Sequence, residues 1–211
     1  MSLFCGVAAL AALTIPAQAL ERHERSRTVF GITLGGGSAR IGLDLDDTGR
    51  IRTEGQGGFG FGFRLGRMVR PDLALTFEGS GWSRRYDNLF GQDLIPTTVT
   101  TTVIGGALTL YPAESGFYVR GGLGLGTGRV ELLFPGFSAD KAKYGFGLLG
   151  GVGYEFRLGE TFAVGPTVDF GATRLGTTKL GATSVDFDLS YINFGVSANW
   201  YPGKNRRSGR P

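Results

Sequence analysis

Two-residue alternation of side-chain character and connections that alternate short and long predict an all-β fold. A second face made of glycine, threonine and serine narrows the prediction to an eight-stranded antiparallel up-and-down transmembrane β-barrel.

Eight segments carry the alternation: roughly 27–39, 56–67, 72–84, 97–111, 116–130, 142–158, 161–174 and 186–201. The first is irregular, and Gly35-Gly36-Gly37 reads as a bulge that shifts the phase before Ala39 and Ile41. In the second, Phe59, Phe61, Phe63 and Leu65 oppose Gly58, Gly60, Gly62 and Arg64. The sixth sets Tyr144, Phe146, Leu148, Val152, Tyr154, Phe156 and Leu158 against glycines, Lys143, Glu155 and Arg157. In the seventh, Phe162, Val164, Pro166, Val168, Phe170 and Ala172 oppose Ala163, Gly165, Thr167, Asp169, Gly171 and Thr173. The eighth places Ile192, Phe194, Val196, Ala198 and Trp200 on one face. All eight are long enough for the ~9–11 residues that a tilted strand needs to cross a bilayer. Three connections are tight, at Gly66 to Pro71, Pro112 to Ser115 and Gly159-Glu160. Four are longer and polar, at 40–55, 85–96, 131–141 and 175–185, and these are read as loops. Turns on one side and loops on the other suit a membrane barrel with both termini on the turn side.

The chain has 211 residues, the size of one domain, and 38 are glycine. No stretch after the N-terminus approaches the ~20 apolar residues of a transmembrane helix. Leu3 to Ile15 is an uncharged apolar run that ends in Ala17-Gln18-Ala19, a signal-peptide pattern. No Lys or Arg precedes it, so the free amine or a start further upstream would supply the positive charge. The organisation expected is a signal peptide over 1–19, a leader over 20–26, the barrel over 27–201 and a disordered basic tail over 202–211. The single cysteine, Cys5, lies in the signal, which leaves no disulfide or thiolate site. Net charge is +4, and Lys204, Arg206, Arg207 and Arg210 of the tail supply four of the positive charges. That is a local tail rather than a nucleic-acid-binding face.

Alternation alone does not say which face looks inward. The glycine, threonine and serine face has too few charges for a water-exposed exterior, and it suits the narrow interior of an eight-stranded barrel. The glycines at 122, 124, 126 and 128 would leave room for longer side chains from opposite strands. Aromatics gather at both ends: Tyr111, Phe117, Phe156, Phe162, Trp200 and Tyr201 near the turns, and Trp82, Tyr86, Phe90, Phe134, Phe137 and Tyr144 near the loops. Two girdles fit two membrane interfaces. In the last segment, Asn193, Gly195, Ala198 and Trp200 follow a pattern of a polar residue, a glycine two on, and apolar residues five and seven on. These residues resemble the assembly signal of bacterial outer-membrane barrels. Residues 27–201 resemble the small-barrel family that includes the OmpA membrane anchor and the OmpX/Ail proteins. This chain differs in continuing eleven residues past the aromatic. The resemblance implies location in the cell outer membrane, with lipid and the barrel assembly machinery as partners. A surface ligand would meet the four loops.

With the apolar face outward, Arg64, Glu78, Arg120, Glu155, Arg157 and Asp169 look into the lumen. Arg120 and Glu155 lie about equally far from the turn end of neighbouring strands and are read as a pair. The network is expected to be a static plug rather than a gated ion path. The resemblance also implies that barrel enzymes depend on a histidine base, and the one histidine, His23, precedes the first strand. Asp44, Asp46, Asp47 and Gly49 only faintly match a calcium loop, because Glu54 is misplaced. Neither catalytic residues, a metal nor a cofactor is expected, and the function expected is non-enzymatic: envelope integrity, surface interaction or limited solute passage. The alternatives are a barrel enzyme acting on outer-membrane lipid and a soluble lipocalin-like carrier.

Overall fold

In the computed structural model, residues 28–45, 49–52, 55–86, 97–112, 116–134, 137–159, 161–180 and 183–202 are described. The expected signal and leader, the tail from 203 onward and most of the 85–96 loop lie outside them, as do His23 and Cys5. The strands are β1 (Thr28–Leu45), β2 (Gly49–Arg52), β3 (Gln56–Arg70), β4 (Leu73–Tyr86) and β5 (Thr97–Leu110). They continue as β6 (Phe117–Phe134), β7 (Phe137–Tyr154), β8 (Phe156–Arg157), β9 (Phe162–Leu180) and β10 (Thr183–Trp200). β2 pairs only with β1, and β8 extends the β7 edge past Glu155 to pair with β9. The other eight strands pair antiparallel in chain order, and β10 closes on β1. Closure leaves no sheet edge, a condition that any spanning strand must meet in hydrocarbon.

Register partners can be followed once round the ring. From Phe30 the line runs through Leu65, Phe77, Gly106, Leu123, Leu148, Ala172 and Ser190 and returns to β1 at Arg40. The shear is therefore ten residues. For eight strands this corresponds to a tilt of about 40° and an interior only wide enough for side chains.

The apolar rows face outward. Leu125 is 66% exposed, Phe194 59% and Val196 57%, whereas Glu78 is 0% and Asp169 1% exposed. A soluble carrier would invert this arrangement, and the lipocalin-like alternative is set aside. The glycines act on both faces. Outside, Gly79, Gly81 and Gly150 lie under the rings of Phe63, Phe61 and Phe170 from adjacent strands. Inside, Gly126 leaves room for Thr173, and Gly128 for Leu175 and Leu189. Gly159 turns β8 into β9 at φ 89°, a conformation that glycine adopts without strain.

Three details differ from the expectation. No bulge interrupts Gly35 to Gly37, because β1 pairs residue by residue with β3 and β10 through that segment. The apparent phase shift arises because Ala39 is an apolar lumen residue, packed with Trp82, Val99 and Tyr191. Second, the segments read as loops at 40–55, 131–141 and 175–185 are mostly strand, since β1 reaches Leu45 and pairs with β2, β6 reaches Phe134 and β9 reaches Leu180. Their polar character marks wall that has risen above the hydrocarbon. Third, Tyr111, Tyr201 and Trp82 are buried in the lumen rather than placed in girdles. Each follows or precedes an outward residue, so the pleat turns it inward. The turn-side aromatic belt consists of Phe117, Tyr154, Phe156, Phe162 and Trp200, and Phe59, Tyr144 and Phe146 stand at the loop-side end of the apolar rows.

Candidate functional site

The turn-side half of the lumen holds most of the charge. Arg64, Glu78, Arg120, Glu155 and Asp169 are all buried there, on β3, β4, β6, the β7–β8 junction and β9. Arg120 sits between two carboxylates, with Nη1 2.5 Å from Glu78 Oε2 and Nη2 2.5 Å from Asp169 Oδ1. β4 and β9 are four strands apart in a ring of eight, and β6 lies midway. The Glu78–Arg120–Asp169 chain therefore crosses the full diameter of the barrel. Arg64 of β3 reaches toward Glu155, diametrically opposite, at 4.0 Å, and its Nε is 4.0 Å from Glu78. The two spans cross and share Glu78.

Small and hydroxylated neighbours make this possible. Arg120 and Asp169 flank Gly151 in the register, and a Cβ on Gly151 would stand 2.6 Å from Asp169 Oδ1. Thr76 Oγ1 donates to Glu78 at 2.8 Å, and Thr167 Oγ1 donates to Asp169 at 2.8 Å. Tyr118 donates to Thr167 at 3.0 Å, and its ring lies 5.0 Å from the Arg64 guanidinium carbon. Neither Nη of Arg64 has a hydrogen-bond partner among the described residues. Charge contact and ring stacking hold it instead.

Three carboxylates face two arginines in this layer, and Glu155 is the one bound chiefly by neutral donors. It accepts from Tyr201 at 2.6 Å, Tyr111 at 3.1 Å and Asn199 at 3.1 Å. Arg157, the sixth charge singled out from the sequence, lies at the turn-side mouth with its guanidinium carbon 5.7 Å from the Tyr201 ring. The expected Arg120–Glu155 pair does not form. Glu155 lies opposite Gly116, to which it is hydrogen-bonded, whereas Arg120 lies opposite Gly151. Four strand residues separate the two levels, a gap the side chains do not bridge when Asp169 is beside Arg120.

The sequence reading puts Tyr111 and Tyr201 in a girdle and does not single out Tyr118, Asn199, Thr76 or Thr167, yet a local signal exists. Thr76 and Glu78, Thr167 and Asp169, and Tyr118 and Arg120 are each two residues apart on one strand and share a face. Tyr201→Phe removes a donor to a buried carboxylate and is expected to cost about 1–3 kcal/mol in unfolding measurements in lipid vesicles. Tyr144→Phe, on the exposed outer wall, should change stability by less than about 0.5 kcal/mol.

The closing-strand residues lie apart from this layer. Asn193 points inward and donates to the Gly81 carbonyl at 2.9 Å. Gly195 packs against the backbone of Leu34 and Gly35, Ala198 is half-buried and Trp200 faces outward. No group of three or more His, Cys, Asp or Glu positioned to hold a metal occurs among the described residues.

Solved structures of similar fold include Ail, the attachment invasion locus protein of Yersinia pestis, in complex with the heparin analogue sucrose octasulfate. It is 15% identical, with 81% of this chain and 99% of that chain covered and a TM-score of 0.46. OprG from Pseudomonas aeruginosa is 15% identical over 86% of this chain and 99% of its own, with a TM-score of 0.47. The outer membrane protease OmpT from Escherichia coli is 8% identical over 83% of this chain and 97% of its own, with a TM-score of 0.42. No curated protein matches the chain. The family model described as outer membrane protein beta-barrel domain matches residues 5–200; the chain belongs to that family and is a β-barrel of the cell outer membrane.

Proposed function

We propose that this chain is a non-enzymatic outer-membrane anchor with a closed lumen, serving envelope integrity or surface interaction through its loop-side end. The observation that carries the reading is the Glu78–Arg120–Asp169 chain across one diameter, crossed by Arg64 and Glu155. In an interior this narrow, a hydrogen-bonded span crossed by a second, looser charge contact favours a lumen closed to solute unless an ion pair breaks. Static pairing of this kind also fixes strand register, because each partner sits on a different strand. Asn193, Gly195, Ala198 and Trp200 are proposed to be the element read by the barrel assembly machinery, and any surface ligand is proposed to meet the loop-side end.

Conductance in planar bilayers tests the closed lumen. The intact barrel should give no steady current. A double Arg64→Ala, Arg120→Ala variant that folds should give discrete steps. Steady conductance of the intact barrel would rule the reading out.

A further inference from the structure

The shear sets the height of every outward side chain. One circuit from β1 through β3 to β10 raises the register line by ten residues over eight strands. Each step in that direction thus climbs a little over one residue, about 3 Å along the axis. On this scale Arg40, Arg85, Arg129 and Arg174 fall within about 4 Å of one another in height. All four are exposed and share the outward parity of their strands. They stand on β1, β4, β6 and β9, every second strand of the ring.

Their level is set by the membrane wall beneath them. Below Arg40 the outward residues are Ser38, Gly36 and then Leu34; below Arg129 they are Thr127 and then Leu125. Below Arg174 they are Ala172 and then Phe170. The arginines therefore begin where the apolar rows end, on the loop side. At the turn-side rim, Arg67 is exposed and Arg70 pairs with Asp72 at 3.2 Å. Among the described side chains, two acidic residues share the loop-side rim: Glu131, 3.1 Å from Arg129, and Asp188, the register partner of Arg174. Exposed pairs of this type are weak enough to exchange for another anion.

A guanidinium on a long apolar stem suits this position. The stem lies along the wall while the head reaches the headgroup layer and binds phosphate with two parallel hydrogen bonds. We propose that Arg40, Arg85, Arg129 and Arg174 form a girdle that binds the phosphates of lipid headgroups in the leaflet on the loop side, ordering a shell of phosphorylated lipid around the barrel. This does not depend on whether the lumen conducts.

The test uses the full chain refolded in phosphatidylcholine vesicles, with spin-labelled phosphatidic acid and spin-labelled phosphatidylcholine competing for the protein surface. The wild type should favour the phosphatidic acid probe about five-fold or more, the effect of at least one basic side chain at an anionic surface. Arg40→Gln, Arg85→Gln, Arg129→Gln and Arg174→Gln combined should bring the ratio close to one, and Arg67→Gln alone should leave it unchanged. If the combined variant does not refold, each single variant should lower the ratio. An unchanged ratio in the variants, or an equal loss from Arg67→Gln, overturns the proposal. So does inorganic phosphate binding the wild type in phosphatidylcholine vesicles as tightly as the lipid probe.

Discussion

Replacing Arg120 with methionine is expected to destabilise the folded barrel by about 3–5 kcal/mol, measured by reversible unfolding in lipid vesicles. Methionine keeps most of the side-chain volume, so the loss is electrostatic rather than a packing defect. It leaves Glu78 and Asp169 buried on opposite strands without their shared cation. Thr76 and Thr167 still donate to them, but a neutral hydroxyl does not balance a buried carboxylate. Adding Glu78→Gln and Asp169→Asn to the methionine variant should recover most of the loss, since it removes the stranded charges. Arg70→Met is the comparison. Its partner is Asp72, both side chains are substantially exposed, and the expected cost is below about 1 kcal/mol. An Arg120→Met barrel as stable as the wild type would mean that the lumen is wet enough to solvate both carboxylates. The closed-lumen reading would then fail with it.

The inward placement of Arg64, Glu78, Arg120, Glu155 and Asp169 was legible in the sequence because parity along a strand is a local property. Their mutual arrangement was not. Pairing Arg120 with Glu155 assumed equal distance from a turn, whereas the register aligns Glu155 with Gly116 and Arg120 with Gly151. The diametric span from β4 to β9 depends on closure and shear, which no single strand encodes. The aromatics show the opposite error. Closeness to strand ends puts Tyr111, Tyr201 and Trp82 in girdles, although their parity places them with Glu155 and Glu78. Loop lengths are hidden in the sequence for a third reason. Above the hydrocarbon a barrel strand has no need of apolar residues, so β6 and β9 lose their signature before they lose their hydrogen bonds.

The outward rows carry the other large effect. Val196 and Ser190 share β10 and the same outward parity, six residues apart. By the register heights, Val196 lies near the middle of the apolar band and Ser190 near its loop-side limit. Arginine at 196 would have to hold its charge near the bilayer midplane, at an expected cost of about 2–4 kcal/mol; at 190 the guanidinium reaches headgroups and the cost is about 0–1 kcal/mol. Both variants keep the lumen intact, because neither side chain faces it. A difference between them therefore reports depth in the membrane and nothing about the charged layer. Vesicles of thinner hydrocarbon should shrink the Val196→Arg penalty, since the charge then lies closer to water. Equal unfolding free energies for the two variants would mean that this face of β10 does not meet hydrocarbon, and the heights assigned to every outward residue would have to be abandoned.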